Sequence, residues 1–230
     1  MLTPDLVRRL ASEFIGTFVL VITVVTCVLT QQALAPLAIG AALMVSIYAG
    51  GHVSGAHFNP AVTIAVWLRG TLPAAEVIPY FGAQFIGAAT AAWLGKFIVN
   101  PGPVSAAHFA DSRTVIAAFI AEAIFTFVLA YVVLNTATSK DHPNNSFYGL
   151  AIGFTVLTGA VAVGGISGGA FNPAVGLGVS IAGISAWSNL WVYLVACSLG
   201  GALAAVVFRA LNPHEYENLD EELKELQKVS

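Results

Sequence analysis

The stretch His57-Phe58-Asn59-Pro60-Ala61-Val62-Thr63 (HFNPAVT, residues 57–63) is a polar turn inside one of the least polar parts of the chain. Asn followed by Pro predicts the start of a helix, because Asn is a favoured N-cap and Pro fits the first helical position. No Asp, Glu, Lys or Arg occurs from Phe14 to Leu68. The sequence therefore predicts a helix that begins at membrane depth.

The composition indicates an integral membrane protein. The chain is 57% hydrophobic and 9% charged, whereas soluble domains are about 25% charged. A second charge-free stretch runs from His142 to Phe208. Such runs need lipid around them, so the lipid bilayer is the first predicted partner. The net charge of -3 owes much to acidic residues after Arg209 and gives no indication of nucleic-acid binding.

Six stretches are long enough to span a membrane. A helical span needs about 20 apolar residues, since each residue rises about 1.5 Å and the hydrocarbon core is about 30 Å thick. Two shorter apolar stretches of about 11 residues reach only about 17 Å, half a bilayer. The six predicted spans are 8–30, 34–52, 77–99, 113–136, 147–166 and 187–209, and the two half-helices are 59–69 and 172–182.

The basic residues predict the orientation, because loops on the cytoplasmic side carry an excess of Lys and Arg. Placing both termini in the cytoplasm leaves seven basic residues inside and only Lys96 and Arg113 outside. The protein is therefore predicted to be a multi-pass membrane protein with cytoplasmic termini. A compact chain without long termini further suggests the plasma (inner) membrane. The seven inside residues are Arg8, Arg9, Arg69, Lys140, Arg209, Lys224 and Lys228.

The chain contains an internal repeat. SEFIGTFVL at 12–20 resembles AEAIFTFVL at 121–129, which aligns Glu13 with Glu122. HVSGAHFNPAV at 52–62 resembles GISGGAFNPAV at 165–175, which aligns the two Asn-Pro-Ala motifs. The predicted units are a first repeat at 1–108, a second repeat at 109–211 and an acidic cytoplasmic tail at 212–230.

Three spans per repeat place the second copy upside down relative to the first. The two half-helices then enter from opposite faces, and their N-termini meet near the bilayer centre. The predicted fold class is an all-α membrane protein with six transmembrane helices and two half-helices in an inverted three-plus-three repeat. Gly70 and Gly183 are expected to end the two half-helices as C-caps.

These paired motifs resemble those of the aquaporin, or major intrinsic protein, family. The resemblance covers about residues 8–210 and implies a pore within each subunit, usually in a homotetramer. It implies a passive channel for water and small neutral solutes. The implied pore centre consists of the two motifs, Asn59, Pro60, Ala61, Asn172, Pro173 and Ala174.

The two asparagines are predicted to act as donors in the pore. As N-caps, they accept backbone N–H groups of the half-helices through the side-chain oxygen, which leaves the amide N–H groups free to point into the lumen. Each half-helix N-terminus also carries about +0.5 elementary charge. Cations, including protons, are therefore expected to be excluded at the pore centre.

Four further polar residues are candidate pore or loop-support groups. Glu13 and Glu122 are intramembrane carboxylates, which are costly unless paired or hydrogen-bonded. By resemblance, each is expected to accept hydrogen bonds from backbone N–H groups of a pore loop. His57 matches a pore-facing position of the family, and His52 is expected to hold the loop.

The outer constriction departs from the family pattern. Ungapped alignment on the two motifs places the four filter positions at Ile39, Ala160, Gly169 and Val175. Many members have Arg in place of Val175, three residues after Asn172. Arg would supply up to five N–H donors and a fixed charge. The sequence thus implies a wider, apolar mouth that favours small neutral solutes over strict selectivity for water.

Two other functions stay open at this stage. An inverted-repeat secondary transporter would use Glu13 and Glu122 as coupling groups. A structural membrane protein would keep the fold and have lost conduction. Neither an enzyme nor a metal or cofactor site is predicted, because no nucleophile and base or metal-ligand set occurs at usable spacing.

Overall fold

Eight α-helices form the chain in the computed structural model, which describes residues 3–216. Six of them have the length and hydropathy to cross a membrane. The other two are short, with 10 and 9 residues. The helices are α1 Pro4–Leu29, α2 Ala35–Ser54, α3 Pro60–Arg69, α4 Ala74–Val99, α5 Ser112–Val133, α6 Tyr148–Ser167, α7 Pro173–Ile181 and α8 Leu190–Leu211.

The predicted fold class is confirmed. Within residues 3–216 there is no β-strand, and only an isolated bridge joins Ala107 to Ser185. The helix limits agree with the predicted spans to within a few residues. The largest difference at a start is in α1, which begins at Pro4 because the Thr3 side chain accepts the Leu6 N–H at 3.2 Å. Arg8 and Arg9 interrupt the apolar run, so the apolar run in the sequence does not extend to this first turn.

The two half-helices end differently. Gly70 directly follows α3 in a left-handed conformation with φ of 89°, as predicted for a C-cap. In α7 the C-cap is Ala182, and Gly183, with φ of 79°, lies one residue later. The glycine still allows the turn, since a residue without Cβ adopts positive φ at little cost.

Glycines allow the helices to approach closely. A Cβ added to Gly87 of α4 would lie 2.7 Å from the Phe14 carbonyl oxygen of α1, and one added to Gly200 of α8 would lie 2.5 Å from the Ala123 oxygen of α5. Gly201 is tighter still, at 2.3 Å from the Ala61 oxygen of α3. Small residues at helix contacts are typical of packing in membranes, where backbone proximity supplies the van der Waals contact.

The segment after α8 packs against the body of the protein. Pro213–Glu215 forms a short 3₁₀ helix, and the Glu215 side chain is buried in an ion pair with Arg69, the last residue of α3. The start of the predicted acidic tail is thus packed against the helices at Glu215, because the buried Arg69 cation lies there. Residues 217–230 of the predicted acidic tail, with Lys224 and Lys228, lie outside the described residues.

We expect Gly201→Ala to destabilise the protein. The added methyl group would overlap the Ala61 backbone, and overpacking of this kind costs about 1–3 kcal/mol. Gly82→Ala in α4 is the matched control, because its Cβ would meet nothing within 4 Å. Thermal unfolding of both variants in the same detergent should show a lower midpoint for Gly201→Ala only. Equal midpoints would contradict the close approach of α8 and α3.

Candidate functional site

The two Asn-Pro-Ala loops meet in the interior of the protein. The Asn59 side-chain nitrogen donates to the Phe171 carbonyl oxygen at 2.9 Å, and the Asn172 nitrogen donates to the Phe58 oxygen at 2.9 Å. Each loop therefore holds the other by the same contact. The predicted meeting of the two half-helix N-termini is confirmed.

Both asparagines cap their half-helices as predicted. Asn59 Oδ1 accepts the Ala61 N–H at 2.9 Å, and Asn172 Oδ1 accepts the Ala174 N–H at 2.8 Å. The prediction that both amide N–H groups stay free is wrong, because each amide gives one N–H to the opposite loop. An amide has two N–H groups, so each asparagine keeps one for the cavity that both line.

The residues before the asparagines are bulky and strained. Phe58 and Phe171 have positive φ values of 49° and 47°, a conformation that costs free energy for residues other than glycine. Both rings are buried in gaps left by glycines, Phe58 against Gly16 and Phe171 against Gly159. We infer that ring burial and the hydrogen bonds of each loop offset the backbone strain.

A fully buried carboxylate holds each loop. Glu13 of α1 receives hydrogen bonds from two backbone N–H groups and two side chains, and Glu122 of α5 is bonded in the same way. The expected bonds to pore-loop N–H groups are thus present. The donors to Glu13 are Ser54 Oγ at 2.7 Å, His57 N at 2.9 Å, Phe58 N at 2.7 Å and Gln84 Nε2 at 2.8 Å. Those to Glu122 are Ser167 Oγ at 2.7 Å, Ala170 N at 3.0 Å, Phe171 N at 2.6 Å and Cys197 Sγ at 3.5 Å.

Two tyrosines complete these loop supports. The Tyr80 hydroxyl donates to the Ser54 carbonyl oxygen at 2.9 Å, and the Tyr193 hydroxyl donates to the Ser167 oxygen at 2.8 Å. This role was not predicted from the sequence for either tyrosine. The signal was present, because Tyr80 and Tyr193 lie at the same distance along the chain from Asn59 and Asn172.

The two histidines occupy different environments. His57 is buried and lines the cavity, with Nδ1 3.1 Å from Thr63 Oγ1. His52 is exposed on α2, and within residues 3–216 no hydrogen bond joins it to the loop. The loop-holding role expected for His52 belongs instead to Ser54, Glu13 and Tyr80.

A largely apolar cavity of about 390 Å³ extends from the asparagines toward the 107–109 and 184–185 loops. All four predicted filter residues, Ile39, Ala160, Gly169 and Val175, line it. Phe109, for which the sequence predicted no role, lines the same cavity. Its backbone N–H donates to Asn189 Oδ1 at 3.3 Å, so a loop outside the two motifs contributes to the mouth.

A second cavity of about 550 Å³ lies at the face where α1 begins, here called the terminal face. It is lined by charged and polar residues together with parts of α2, α3 and the end of α5. His57 and Val133 line both cavities. The polar and charged residues around it include Asp5, Arg8, Arg9, His52, Ser54, Thr71 and Thr138.

The family model described as Major intrinsic protein matches residues 1–208. The chain belongs to this family. It is therefore an integral multi-pass membrane protein.

Individual members resemble this major intrinsic protein over most of its length. A glycerol uptake facilitator-like protein of Lactiplantibacillus plantarum is 40% identical over 90% of this chain and 100% of its own. A probable aquaporin of Archaeoglobus fulgidus is 35% identical over 91% of this chain and 99% of its own. The solved aquaglyceroporin of Plasmodium falciparum has the same fold, with a TM-score of 0.76 at 24% identity over 91% of this chain and 98% of that chain.

We expect Glu122→Gln to destabilise the protein. The amide would place an N–H group against a donor, either the Phe171 N–H or the Ala170 N–H, and an unsatisfied buried donor costs about 1–3 kcal/mol. Cys197→Ala is the matched control, since it removes only the longest contact to Glu122, at 3.5 Å. The midpoint of thermal unfolding should fall clearly more for Glu122→Gln. A larger fall for Cys197→Ala would show that the loop does not depend on the carboxylate.

Proposed function

We propose that this protein is a passive channel for water and small uncharged solutes, such as glycerol, urea, ammonia or hydrogen peroxide. Membership of the family makes it a membrane channel for water and small solutes and not an enzyme. The pair of asparagines facing one cavity carries the proposal. The names of the two relatives, a glycerol facilitator-like protein and a probable aquaporin, support this range of permeants.

The pore centre favours neutral molecules over cations. Two half-helix N-termini meet there, each with about +0.5 elementary charge, and the surrounding medium of low dielectric strengthens that potential. The one amide N–H that each asparagine keeps can donate to a passing oxygen. A water molecule held by both donors turns its hydrogens away from them, which interrupts a chain of waters that would conduct protons.

The apolar mouth favours solutes that lose little on dehydration. Val175 stands where many members have Arg, and its neighbours in the filter are Ile39, Ala160 and Gly169. None of these side chains offers a donor or a charge. A solute at this point gives up hydration with few compensating hydrogen bonds, while the absence of bulk leaves room for molecules larger than water.

The two other functions considered from the sequence have less support. A transporter that uses Glu13 and Glu122 would have to free carboxylate oxygens that already accept the pore-loop N–H groups, so each proton-transfer step would release a loop. A structural protein without conduction would not need two cavities that meet at His57 and Val133. Flux that does not saturate and does not depend on a proton gradient distinguishes the channel from both.

The assembly and orientation are also proposed. We propose a homotetramer in the plasma (inner) membrane with both termini in the cytoplasm. Large apolar side chains on outward helix faces, among them Trp93 and Phe97, suit contact with lipid or another subunit. The basic residues Arg8, Arg9 and Arg69 lie at the terminal face, which agrees with a cytoplasmic position for it.

Val175→Arg should reduce the passage of glycerol and urea more than that of water. We expect solute flux in proteoliposomes to fall at least about tenfold, which a barrier increase of about 1.4 kcal/mol would produce. Stopped-flow light scattering measures both fluxes. Val175→Leu, which adds bulk without charge or donors, is the control. Equal losses of water and solute flux would show that residue 175 is not at the constriction, and wild-type flux equal to that of empty vesicles would refute the channel.

Asn59→Asp and Asn172→Asp should each increase proton leakage. An added negative charge opposes the positive potential of the half-helix N-termini and favours cations at the centre. Proton flux is measured with a pH-sensitive dye inside the vesicles, under valinomycin to collapse the membrane potential. Asn100→Asp, an exposed position at the end of α4, serves as the control. Unchanged leakage in both pore variants would contradict electrostatic exclusion at the asparagines.

A further inference from the structure

The two cavities of the pore meet at a junction, defined by His57 and Val133. These are the residues shared by both cavity linings in the described part of the chain. His57 belongs to the loop before α3, and Val133 is the last residue of α5. A solute that passes from one cavity to the other must therefore pass between the α3 loop and the end of α5.

The α5 side of this junction has an unusual backbone. Leu134–Thr138, directly after Val133, is a π-helix, whereas the corresponding α1 continues as an α-helix to Leu29. Single π turns are rare and occur frequently at functional positions. Ala137 and Thr138 of this turn line the second cavity. The end of α5 thus forms a wall of the pore on the terminal side of the junction.

On the other side of the junction, the position of His57 depends on the position of α3. His57 Nδ1 lies 3.1 Å from Thr63 Oγ1, on the first turns of α3. The Thr63 hydroxyl also donates to the Asn59 carbonyl oxygen at 3.1 Å. A displacement of α3 along or across its axis would therefore move His57 as well. The other end of this short helix is Arg69.

Glu215 is bonded to both sides. One carboxylate oxygen, Oε2, pairs with the Arg69 guanidinium at the end of α3. The other, Oε1, accepts the Ser139 hydroxyl at 2.6 Å and the Lys140 N–H at 3.0 Å, directly after the π-helix. Within residues 3–216, no other carboxylate joins these two segments. The side chains of Arg69 and Glu215 are only 6% and 0% exposed.

The burial makes this connection stiff. A buried ion pair that loses one partner leaves an uncompensated charge, so its geometry resists change. Aromatic rings also enclose the Arg69 guanidinium, which lies 5.0 Å from the Phe208 ring centre and 4.8 Å from that of Tyr216. Nearby Asp141 and His214 form a different kind of contact, an exposed pair at 3.0 Å.

We propose that Glu215 is a positioning residue for conduction, which sets the width of the pore at the His57–Val133 junction by holding α3 and the end of α5 together. The proposal rests on the proposed channel function. Without the charge on residue 215, Arg69 is left unpaired and draws water, and the two segments separate. Larger neutral solutes then gain more from the wider junction than water does.

Glu215→Gln is the first test. We expect the ratio of erythritol flux to water flux in proteoliposomes to rise at least twofold over wild type, with flux expressed per folded channel. Asp141→Asn is the matched control, because it removes the exposed pair with His214 and leaves the bonds of Glu215 intact. An unchanged flux ratio for folded Glu215→Gln, or an equal change for Asp141→Asn, would overturn the proposal.

A double-mutant cycle with Val133→Ala separates positioning from general loosening of the structure. Val133→Ala widens the junction directly and should raise the same flux ratio by itself. If Glu215 acts through the junction, adding Glu215→Gln to Val133→Ala should change the ratio by less than half of its effect in the wild-type background. A full, additive effect would show that Glu215 does not act at the junction.

Ser139→Ala covers the outcome in which Glu215→Gln does not fold. It removes one donor to Glu215 and keeps the Arg69 pair, so the same change in ratio is expected at a smaller size. No change in this folded variant would overturn the proposal in that case. The failure of the channel function itself is distinguishable, because wild-type flux would then equal that of empty vesicles.

Discussion

The structure depends on two buried carboxylates that satisfy non-helical backbone at membrane depth. Lipid offers no hydrogen-bond partners, so irregular backbone persists there only where protein or water supplies them. Glu13 and Glu122 each bind two consecutive N–H groups of a pore loop and the serine that ends the preceding helix. The loops can therefore leave the helical conformation and direct Asn59 and Asn172 into one cavity.

Different parts of the proposed channel serve proton exclusion and solute selection, namely the pore loops and the apolar mouth. In the channel we propose, proton exclusion relies on the asparagines and the half-helix N-termini, which are held by buried hydrogen bonds. The proposed solute choice relies on side chains such as Ile39 and Val175, which contribute little to the loop scaffold. A substitution at the mouth can thus alter the permeants without disturbing the pore centre. This separation explains how a chain without the filter Arg keeps the complete pore-loop architecture.

Much of the fold follows from sequence because apolar length and the repeat constrain it. The six spans, two half-helices and both asparagine caps were predicted from those patterns, and so was the loop support by Glu13 and Glu122 through resemblance. The use of one amide N–H for the opposite loop was missed, since it depends on how closely the loops approach. Phe109 and Glu215 were missed because their partners are distant in sequence and no local pattern marks them.

The crossed bonds between the loops have a consequence for folding order. The Asn59 amide finds its partner, the Phe171 carbonyl, 112 residues later in the chain. Glu13, by contrast, binds the first loop across only 44 and 45 residues. During synthesis, the first half of the chain can form the hydrogen bonds between its pore loop and Glu13. It cannot form the bond from the Asn59 amide to Phe171. The hydrogen bonds between the two loops form only when the second half has been made, so neither half of the chain can complete its pore loop alone.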